Sequence, residues 1–167
     1  IVMVFGGVLA VVLVLMMGFW APSKEQRTNN KSIVVTTTIL RDVVSQIVQG
    51  KRSVIALMGP GVDPHLYNAT EGDVRRLYNA DLIFYHGHHL EARMGDVLKQ
   101  LSKKKPVLAV QEVISKSQLI YPDDGTDYAD PHIWFDVSLW MKTIPGIIDA
   151  LVQFDPENAA FYQESGD

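Results

Sequence analysis

The sequence predicts an α/β fold in which helices flank a parallel β-sheet, preceded by a hydrophobic N-terminal helix. From Ser32 onward, short β-branched runs alternate with helical patterns. This alternation is typical of a parallel sheet with right-handed crossovers. Turn-forming residues such as Gly59-Pro60-Gly61 separate the elements. Residues 1–22 differ from the rest of the chain, because they contain no charged residue and are almost wholly apolar.

Each element has its own local signal. Four runs rich in β-branched and other apolar residues are the predicted strands: Ser32–Thr37, Ser53–Met58, Asp81–Tyr85 and Pro106–Val110. Five helices are predicted. The first is capped by Thr38 and ended by Gly50, the second runs from a Thr70–Asp73 capping box to Asn79, and the third lies around Arg93–Leu101. The fourth runs from Asp136 through Val152 with an interruption at Pro145-Gly146, and the fifth begins at Asp155-Pro156. Gln111–Asp130 has weak periodicity, which predicts a long functional or mobile loop.

The apolar start of the chain indicates a membrane anchor or a signal segment. Residues 1–22 would form a helix about 33 Å long, enough to cross a bilayer core. Trp20 suits a membrane interface, and Phe19–Pro22 is a poor cleavage site, so an anchor is favoured over a cleaved signal. Residues 23–31 are polar and are read as a linker. Their basic residues oppose an extracytoplasmic orientation under the positive-inside rule.

Composition narrows the classes of function. The net charge of −4 argues against a nucleic-acid partner, which would require a basic face. The sequence contains no cysteine, which excludes both a disulfide framework and a thiolate metal site within it. Any metal site in this chain would therefore depend on histidine and carboxylate ligands.

The histidines follow the predicted strands. His65 lies in the loop after the second strand, His86, His88 and His89 follow the third, and His132 follows the fourth. A single histidine is more often structural than a ligand. Because ligands of open parallel sheets bind beyond the carboxyl ends of the strands, these loops would meet in one crevice. Neutral imidazole binds zinc and other first-row divalent cations, and three imidazoles leave a fourth position for water or a carboxylate.

Two of these histidines stand in the same local context, Asp63-Pro64-His65 and Asp130-Pro131-His132. Proline restricts its own backbone and that of the preceding residue, so each histidine would lie on a stiffened loop. Asp63 and Asp130 would accept a hydrogen bond from the second ring nitrogen and fix the tautomer. The alternative is that both aspartates are simple turn formers.

Three longer motifs identify a resemblance to a known family. They are GPGVDPHLY with ATEGD (residues 59–73), NADLIFY through GHHLE (residues 79–91), and DPHIWFD (residues 130–136). Together they resemble the ligand loops of the manganese- and zinc-binding (TroA-like) solute-binding proteins of ABC importers. The similarity extends from Ser32 to Gly166 in the same order and spacing.

The resemblance implies a two-lobed metal-binding protein. Residues 32–154 would be its N-terminal metal-binding α/β lobe, and residues 155–167 would begin the helix that links the lobes. The implied ligands are His65, His89 and His132, with a carboxylate from the second lobe as the fourth. His89 is preferred over its neighbours because it stands directly before a Leu-Glu pair.

The resemblance also implies the biological setting. The cargo would be Mn²⁺ or Zn²⁺, the partner an ABC transporter permease, and the location extracytoplasmic, in the periplasm or at the cell surface. Family members usually carry a lipid-attachment cysteine. This sequence has none, so its tether would be the N-terminal segment. Zinc carriers of this kind often insert a histidine-rich loop before the third ligand, so the absence of histidine from Gln111–Asp130 favours manganese. A nitrogen-rich site, in contrast, favours zinc.

Two alternatives use the same residues differently. A metal-dependent hydrolase would use the three histidines and a bound water, with Glu91 as the base. No His-Glu-x-x-His motif is present in the sequence, which argues against this class. A surface adhesin without metal chemistry is the second alternative.

Overall fold

The computed structural model describes residues 31–123, 125 and 127–166. The predicted membrane anchor or signal segment at residues 1–22, and the linker up to residue 30, lie outside the described residues. Within the described ranges, no helix combines the length and the apolar character needed to cross a membrane.

The described residues contain a four-stranded sheet in the order β2-β1-β3-β4, and every pair of neighbours is parallel. The strands are β1 (Ser32–Val35), β2 (Ser53–Ala56), β3 (Leu82–Tyr85) and β4 (Val107–Ala109). Helices pack on both of its faces, which confirms the predicted α/β fold class. The strands are shorter than predicted. Strands β1 and β2 lose residues at the carboxyl end, β3 loses Asp81 at the amino end, and β4 loses one residue at each end.

The helices also follow the predicted order. They are α1 (Thr38–Val48), α2 (Glu71–Asn79), α3 (Gly95–Ser102), α4 (Val137–Met141), α5 (Ile144–Phe154) and α6 (Ala159–Ser165). Short 3₁₀ turns cover Ala92–Met94, Val110–Val113, Lys116–Gln118, Ile133–Phe135 and Pro156–Asn158. Two of these turns, those beginning at Val110 and Lys116, give local structure to the predicted long loop.

Caps explain where most helices begin and end. Thr37, and not Thr38 as predicted, caps α1, because its hydroxyl accepts a hydrogen bond from the Leu40 N–H. The left-handed backbone that ends α1 includes Gln49 (φ 42°) as well as the predicted Gly50 (φ 80°). The Thr70–Asp73 capping box that opens α2 is confirmed.

The C-terminal helices differ from their predictions in two respects. The predicted helix through Val152 is two helices, α4 and α5, because Pro145 lies in the first turn of a new helix. Asp155 does not cap the last helix with its side chain. Its carboxylate is buried instead and accepts hydrogen bonds from Arg52, Asn158 and Tyr162.

The core consists of one apolar layer on each face of the sheet. Ile33, Val35 and Phe84 point into a layer covered by α1, α5 and α6, whereas Val34 and Ile83 point into a layer covered by α2 and α3. This alternation is what strands covered on both faces require. Helix α6 belongs to the first layer through the buried ring of Tyr162. The predicted role of residues 155–167 as the start of a helix between lobes stays a prediction.

A lysine from the loop after α3 caps the carboxyl end of α2. The ammonium of Lys105 donates hydrogen bonds to the carbonyls of Leu77 (3.2 Å), Tyr78 (2.6 Å) and Ala80 (2.6 Å). We expect Lys105→Met to lower the free energy of unfolding by about 1–3 kcal/mol, because these carbonyls lose a charged donor. Urea denaturation measures the change. Lys104→Met, at the exposed neighbouring position, is the matched control and should change stability by less than about 0.5 kcal/mol.

Asp155 should make stability depend on pH. Burial opposes its charged form, but hydrogen bonds from Tyr162, Arg52 and Asn158 outweigh burial and hold the pKa of this carboxyl below its ordinary value. Its contribution is therefore complete above the unfolded pKa of about 3.9 and is lost as pH falls through the lower folded value. We expect Asp155→Asn to cost about 2–4 kcal/mol at pH 7 and progressively less at acid pH.

Denaturation of the wild type and the Asp155→Asn variant between pH 7 and pH 3 measures this difference. Asp149→Asn, on the exposed face of α5, is the control and should follow the wild type across the range. A difference between Asp155→Asn and the wild type that stays constant down to pH 3 would contradict the assignment.

Candidate metal centre

The candidate site lies at the carboxyl edge of the sheet. Strand β1 is connected to β2 on one side and pairs with β3 on the other, so the chain reverses its direction of growth between β1 and β3. Open parallel sheets bind their ligands beside such a point. The loops that follow β2, β3 and β4 carry the histidines singled out from the sequence.

His65 and His132 meet at this edge. Their Nε2 atoms are 3.2 Å apart, and their ring centroids are separated by 5.3 Å. Two nitrogens at this separation, each about 2.0–2.1 Å from one ion, would subtend an angle of about 100° at the ion, which is close to tetrahedral. The pair is therefore spaced to share a cation.

Asp130 orients the ring of His132. Its Oδ1 accepts hydrogen bonds from the His132 backbone N–H (2.9 Å) and from Nδ1 of the same ring (2.7 Å). The backbone hydrogen bond and, against some opposing burial, the hydrogen bond from the ring hold the pKa of the Asp130 carboxyl below its usual range. An ionised carboxylate accepts but cannot donate, so Nδ1 carries the hydrogen and Nε2 keeps its lone pair for a metal.

The first Asp-Pro-His loop is held differently. Asp63 Oδ1 accepts a hydrogen bond from the His65 backbone N–H (2.9 Å), as a turn former does. Within the described ranges, no hydrogen bond joins the Asp63 carboxylate to the His65 ring. The loop is fixed instead through Tyr67, whose hydroxyl donates to Asp73 Oδ2 (2.6 Å) at the start of α2. Burial and Asp73 raise the pKa of Tyr67 to about 12, so this hydroxyl keeps its proton.

His89 lies in the same cleft but is not grouped closely with the pair. With His65 and His132 it lines an open cleft of about 470 Å³. Its ring packs on Tyr128, with the ring centroids 3.6 Å apart. Within the part of the chain that the structure describes, no three histidine, aspartate or glutamate side chains are grouped so that they could hold a metal. The structure thus brings together two of the three expected ligands.

The backbone at His89 has an unusual conformation. Gly87, His88 and His89 have φ values of 95°, 45° and 63°, so three consecutive residues adopt the left-handed region. Only glycine adopts this region at no steric cost, so the turn is strained at both histidines. Nε2 of His88 is buried and has no hydrogen-bond partner among the described residues.

His86 is not positioned to bind an ion from the cleft. Its ring is fully buried, with Nε2 2.8 Å from the Thr37 hydroxyl and Nδ1 3.2 Å from the Gln111 amide nitrogen. Burial, together with the nearby His132, lowers the pKa of His86 to about 3. The imidazole is therefore neutral at physiological pH.

Glu91 has a structural position. It is 3% exposed, and its carboxylate accepts hydrogen bonds from the Thr36 hydroxyl (2.5 Å) and from the backbone N–H groups of His86 (2.9 Å) and Gly87 (3.3 Å). Burial raises the pKa of this carboxyl, and the three hydrogen bonds oppose the rise. These contacts close the turn after β3 and engage the Glu91 carboxylate with three donors.

Sequence reasoning missed four residues that build this edge: Thr36, Thr37, Tyr67 and Gln111. One signal was available. Thr36, Thr37 and Gln111 lie within two residues of the carboxyl end of a strand, which is where a parallel sheet binds its ligands. Tyr67 has no such signal. Its partner Asp73 is recognisable in the sequence only as part of the helix capping box.

The chain matches the family model of ZnuA, the periplasmic component A of a zinc-uptake complex, over residues 33–167. The zinc-binding protein TroA of Treponema pallidum is 45% identical over 135 residues, which cover 80% of this chain and 43% of the relative. The manganese-binding lipoprotein MntA of Bacillus subtilis is 38% identical over 133 residues, with the same two coverages of 80% and 43%.

Solved structures show the same relationship. The periplasmic zinc-binding protein TroA of Treponema pallidum superimposes with a TM-score of 0.78 at 41% identity, covering 82% of this chain and 49% of that one. A manganese-bound periplasmic metal-binding protein from Candidatus Liberibacter asiaticus gives a TM-score of 0.73 at 29% identity, covering 81% and 50%. The chain thus spans about half the length of these relatives. It belongs to the ZnuA family of TroA-like metal-binding, solute-binding proteins.

Proposed function

We propose that the protein captures a divalent transition-metal ion, Mn²⁺ or Zn²⁺, outside the cytoplasm and delivers it to the permease of an ABC importer. The observation that carries this proposal is the His65–His132 pair, whose Nε2 atoms are 3.2 Å apart with one ring oriented by a carboxylate. The names of the relatives support the cargo and the transport system, since one is a zinc-binding protein and another a manganese ABC transporter substrate-binding lipoprotein from Streptococcus pneumoniae.

The proposed ligand set begins with His65 and His132. His89 is the proposed third ligand, because it lines the same cleft, but its ring must first leave Tyr128. A carboxylate from a second lobe, of the kind that the longer relatives have room for, would complete the site. Asp130 contacts both the ring and the backbone N–H of its histidine, whereas Asp63 contacts the backbone N–H of its histidine.

The setting belongs to the same proposal. Relatives are described as periplasmic or as lipoproteins, which supports an extracytoplasmic location. Residues 1–22 would tether the protein to the membrane, with residues 23–31 as the linker to the metal-binding lobe. The cation is cargo in this reading. Manganese and zinc are both retained, because relatives are named for each of them.

The hydrolase alternative has little support from the geometry. Its base would be Glu91, which is buried and already accepts hydrogen bonds from Thr36, His86 and Gly87. A surface adhesin without metal chemistry would have no use for a histidine whose tautomer is fixed by Asp130. Binding of a cation without turnover of substrate is therefore the function that this site fits best.

Removal of a proposed ligand should remove metal binding. We expect His65→Ala and His132→Ala each to weaken Mn²⁺ and Zn²⁺ affinity by about 100-fold or more, roughly 2.7 kcal/mol. The metal-dependent rise in melting temperature should fall accordingly. Isothermal titration calorimetry and thermal melting with and without metal measure the two effects. Lys105→Met is the control, because it lowers stability far from the cleft and should leave the affinity unchanged.

His89→Ala decides the third position. If His89 is a ligand, the loss should match that of the other two histidines; a loss of less than about threefold would limit the ligands of this lobe to two. A melting shift that survives the combined loss of His65, His89 and His132 would place the metal site elsewhere and contradict the proposed function.

The two aspartates form a matched pair for a second test. We expect Asp130→Asn to weaken metal affinity about 10-fold or more, because an amide cannot hold the His132 ring as the carboxylate does. Asp63→Asn should weaken it less, because its contact is with the backbone N–H and an amide oxygen accepts that hydrogen bond equally well. Calorimetry on both variants checks the order. Equal losses would contradict the different roles of the two carboxylates.

A further inference from the structure

The described residues contain a buried polar cluster next to the His65–His132 pair, and the proposed ligand set does not include it. It consists of Thr37, His86 and Gln111, which are 8%, 0% and 0% exposed. These residues follow strands β1, β3 and β4 respectively. A buried imidazole is costly unless both ring nitrogens have partners, and here both do.

The contacts of Gln111 fix the direction of hydrogen bonding in this cluster. One amide nitrogen, Nε2, is 2.7 Å from the carbonyl oxygen of Pro131 and 3.2 Å from Nδ1 of His86. A carbonyl only accepts, so the NH₂ end of the amide faces Pro131, and the same NH₂ group donates to His86. Nδ1 is thus the acceptor, and His86 is the Nε2–H tautomer that donates to the Thr37 hydroxyl.

This chain of hydrogen bonds ends at a metal-ligand loop. Pro131 is the residue directly before His132, so its carbonyl belongs to the peptide group that carries the His132 backbone N–H. The Gln111 backbone N–H also donates to the His86 carbonyl (3.0 Å), which ties the amide to the end of β3. Hydrogen bonds through Gln111 and His86 therefore connect the loop of His132 to Thr37, which caps α1.

Aromatic contacts add a second connection. The His86 ring stacks on Trp140, with centroids 5.7 Å apart and planes 16° apart, and it makes an edge contact with Trp134 at 5.0 Å. Trp134 in turn makes an edge contact with the His132 ring at 5.2 Å. The imidazole of His86 thus contacts both the polar and the aromatic neighbours of the ligand.

We propose that His86 is a positioning residue for metal capture, which holds the His132 loop through the hydrogen bonds Thr37–His86–Gln111–Pro131 and the ring contact with Trp134. This inference rests on the proposed function. It assigns a role to a histidine that does not touch the ion. It also predicts that metal affinity depends on Gln111, an uncharged residue whose side chain contacts His86 and Pro131.

The test is a double-mutant cycle on metal affinity in the purified protein. His86→Phe keeps an aromatic ring but loses both hydrogen bonds, and Gln111→Met keeps the side-chain length but loses the amide. We expect each variant to weaken Mn²⁺ and Zn²⁺ binding about 10-fold, measured by calorimetry. Because both interrupt one chain, the double variant should be weaker than the poorer single variant by less than about threefold. His86→Gln, which offers a donor and an acceptor, should recover most of the affinity.

One control variant and two outcomes separate positioning from general stability and from the proposed function. Lys105→Met should lower stability without weakening metal binding; if it weakens binding as the cluster variants do, affinity only follows stability and the proposal fails. Unchanged affinity in Gln111→Met with normal binding by the wild type overturns this inference alone. A wild type that binds neither Mn²⁺ nor Zn²⁺ overturns the proposed function and this inference with it.

One further measurement needs no variant. Long-range ¹⁵N correlation spectra of the wild type should show His86 as the Nε2–H tautomer. The Nδ1–H tautomer would contradict the hydrogen-bonding direction on which the inference depends.

Discussion

The requirement that buried polar groups be paired at the carboxyl edge of the sheet governs the rest of this structure. Strands β1, β3 and β4 end side by side there, and most buried donors and acceptors beyond them are paired, although Nε2 of His88 and Oε1 of Gln111 have no partner among the described residues. Glu91 satisfies the turn after β3, and His86 and Gln111 pair with each other and with neighbouring loops. The buried layer contacts the loop of His132 through Gln111, so in the proposed function the shape of the site would depend on residues that do not touch the cation.

Much of the fold could be predicted from the sequence, because its signals are local. β-Branched runs separated by helical patterns specify a parallel sheet, and the Thr70–Asp73 capping box fixes the start of a helix to the residue. Errors occurred where a tertiary contact overrode the local signal. Asp155 resembles a helix cap in sequence, but Arg52 and Tyr162, which lie far along the chain or on the next helix, take its carboxylate into the core.

The candidate site was predictable to a lesser degree. The doubled Asp-Pro-His pattern indicated His65 and His132, and the fold brings them into contact although they are 67 residues apart. The conformation of the loop at His89 could not be predicted, because it contains three consecutive left-handed residues, of which only Gly87 belongs to a residue type that adopts this region freely. The contacts of His86 and Gln111 could not be predicted for another reason: the partners of a buried polar side chain are known only once the fold is known.

The unequal treatment of the two rings has a chemical consequence. Asp130 accepts a hydrogen bond from the Nδ1–H group of His132, so Nε2 of that ring is an acceptor. As a hydrogen bond, the 3.2 Å contact then requires His65 to carry its own hydrogen on Nε2. A nitrogen that donates a hydrogen cannot also donate a lone pair to a cation. Ligation by His65 therefore requires its hydrogen to sit on Nδ1. If the pair binds a cation as proposed, one imidazole already presents a lone pair and the other must first exchange tautomers, so proton relocation would be part of metal capture.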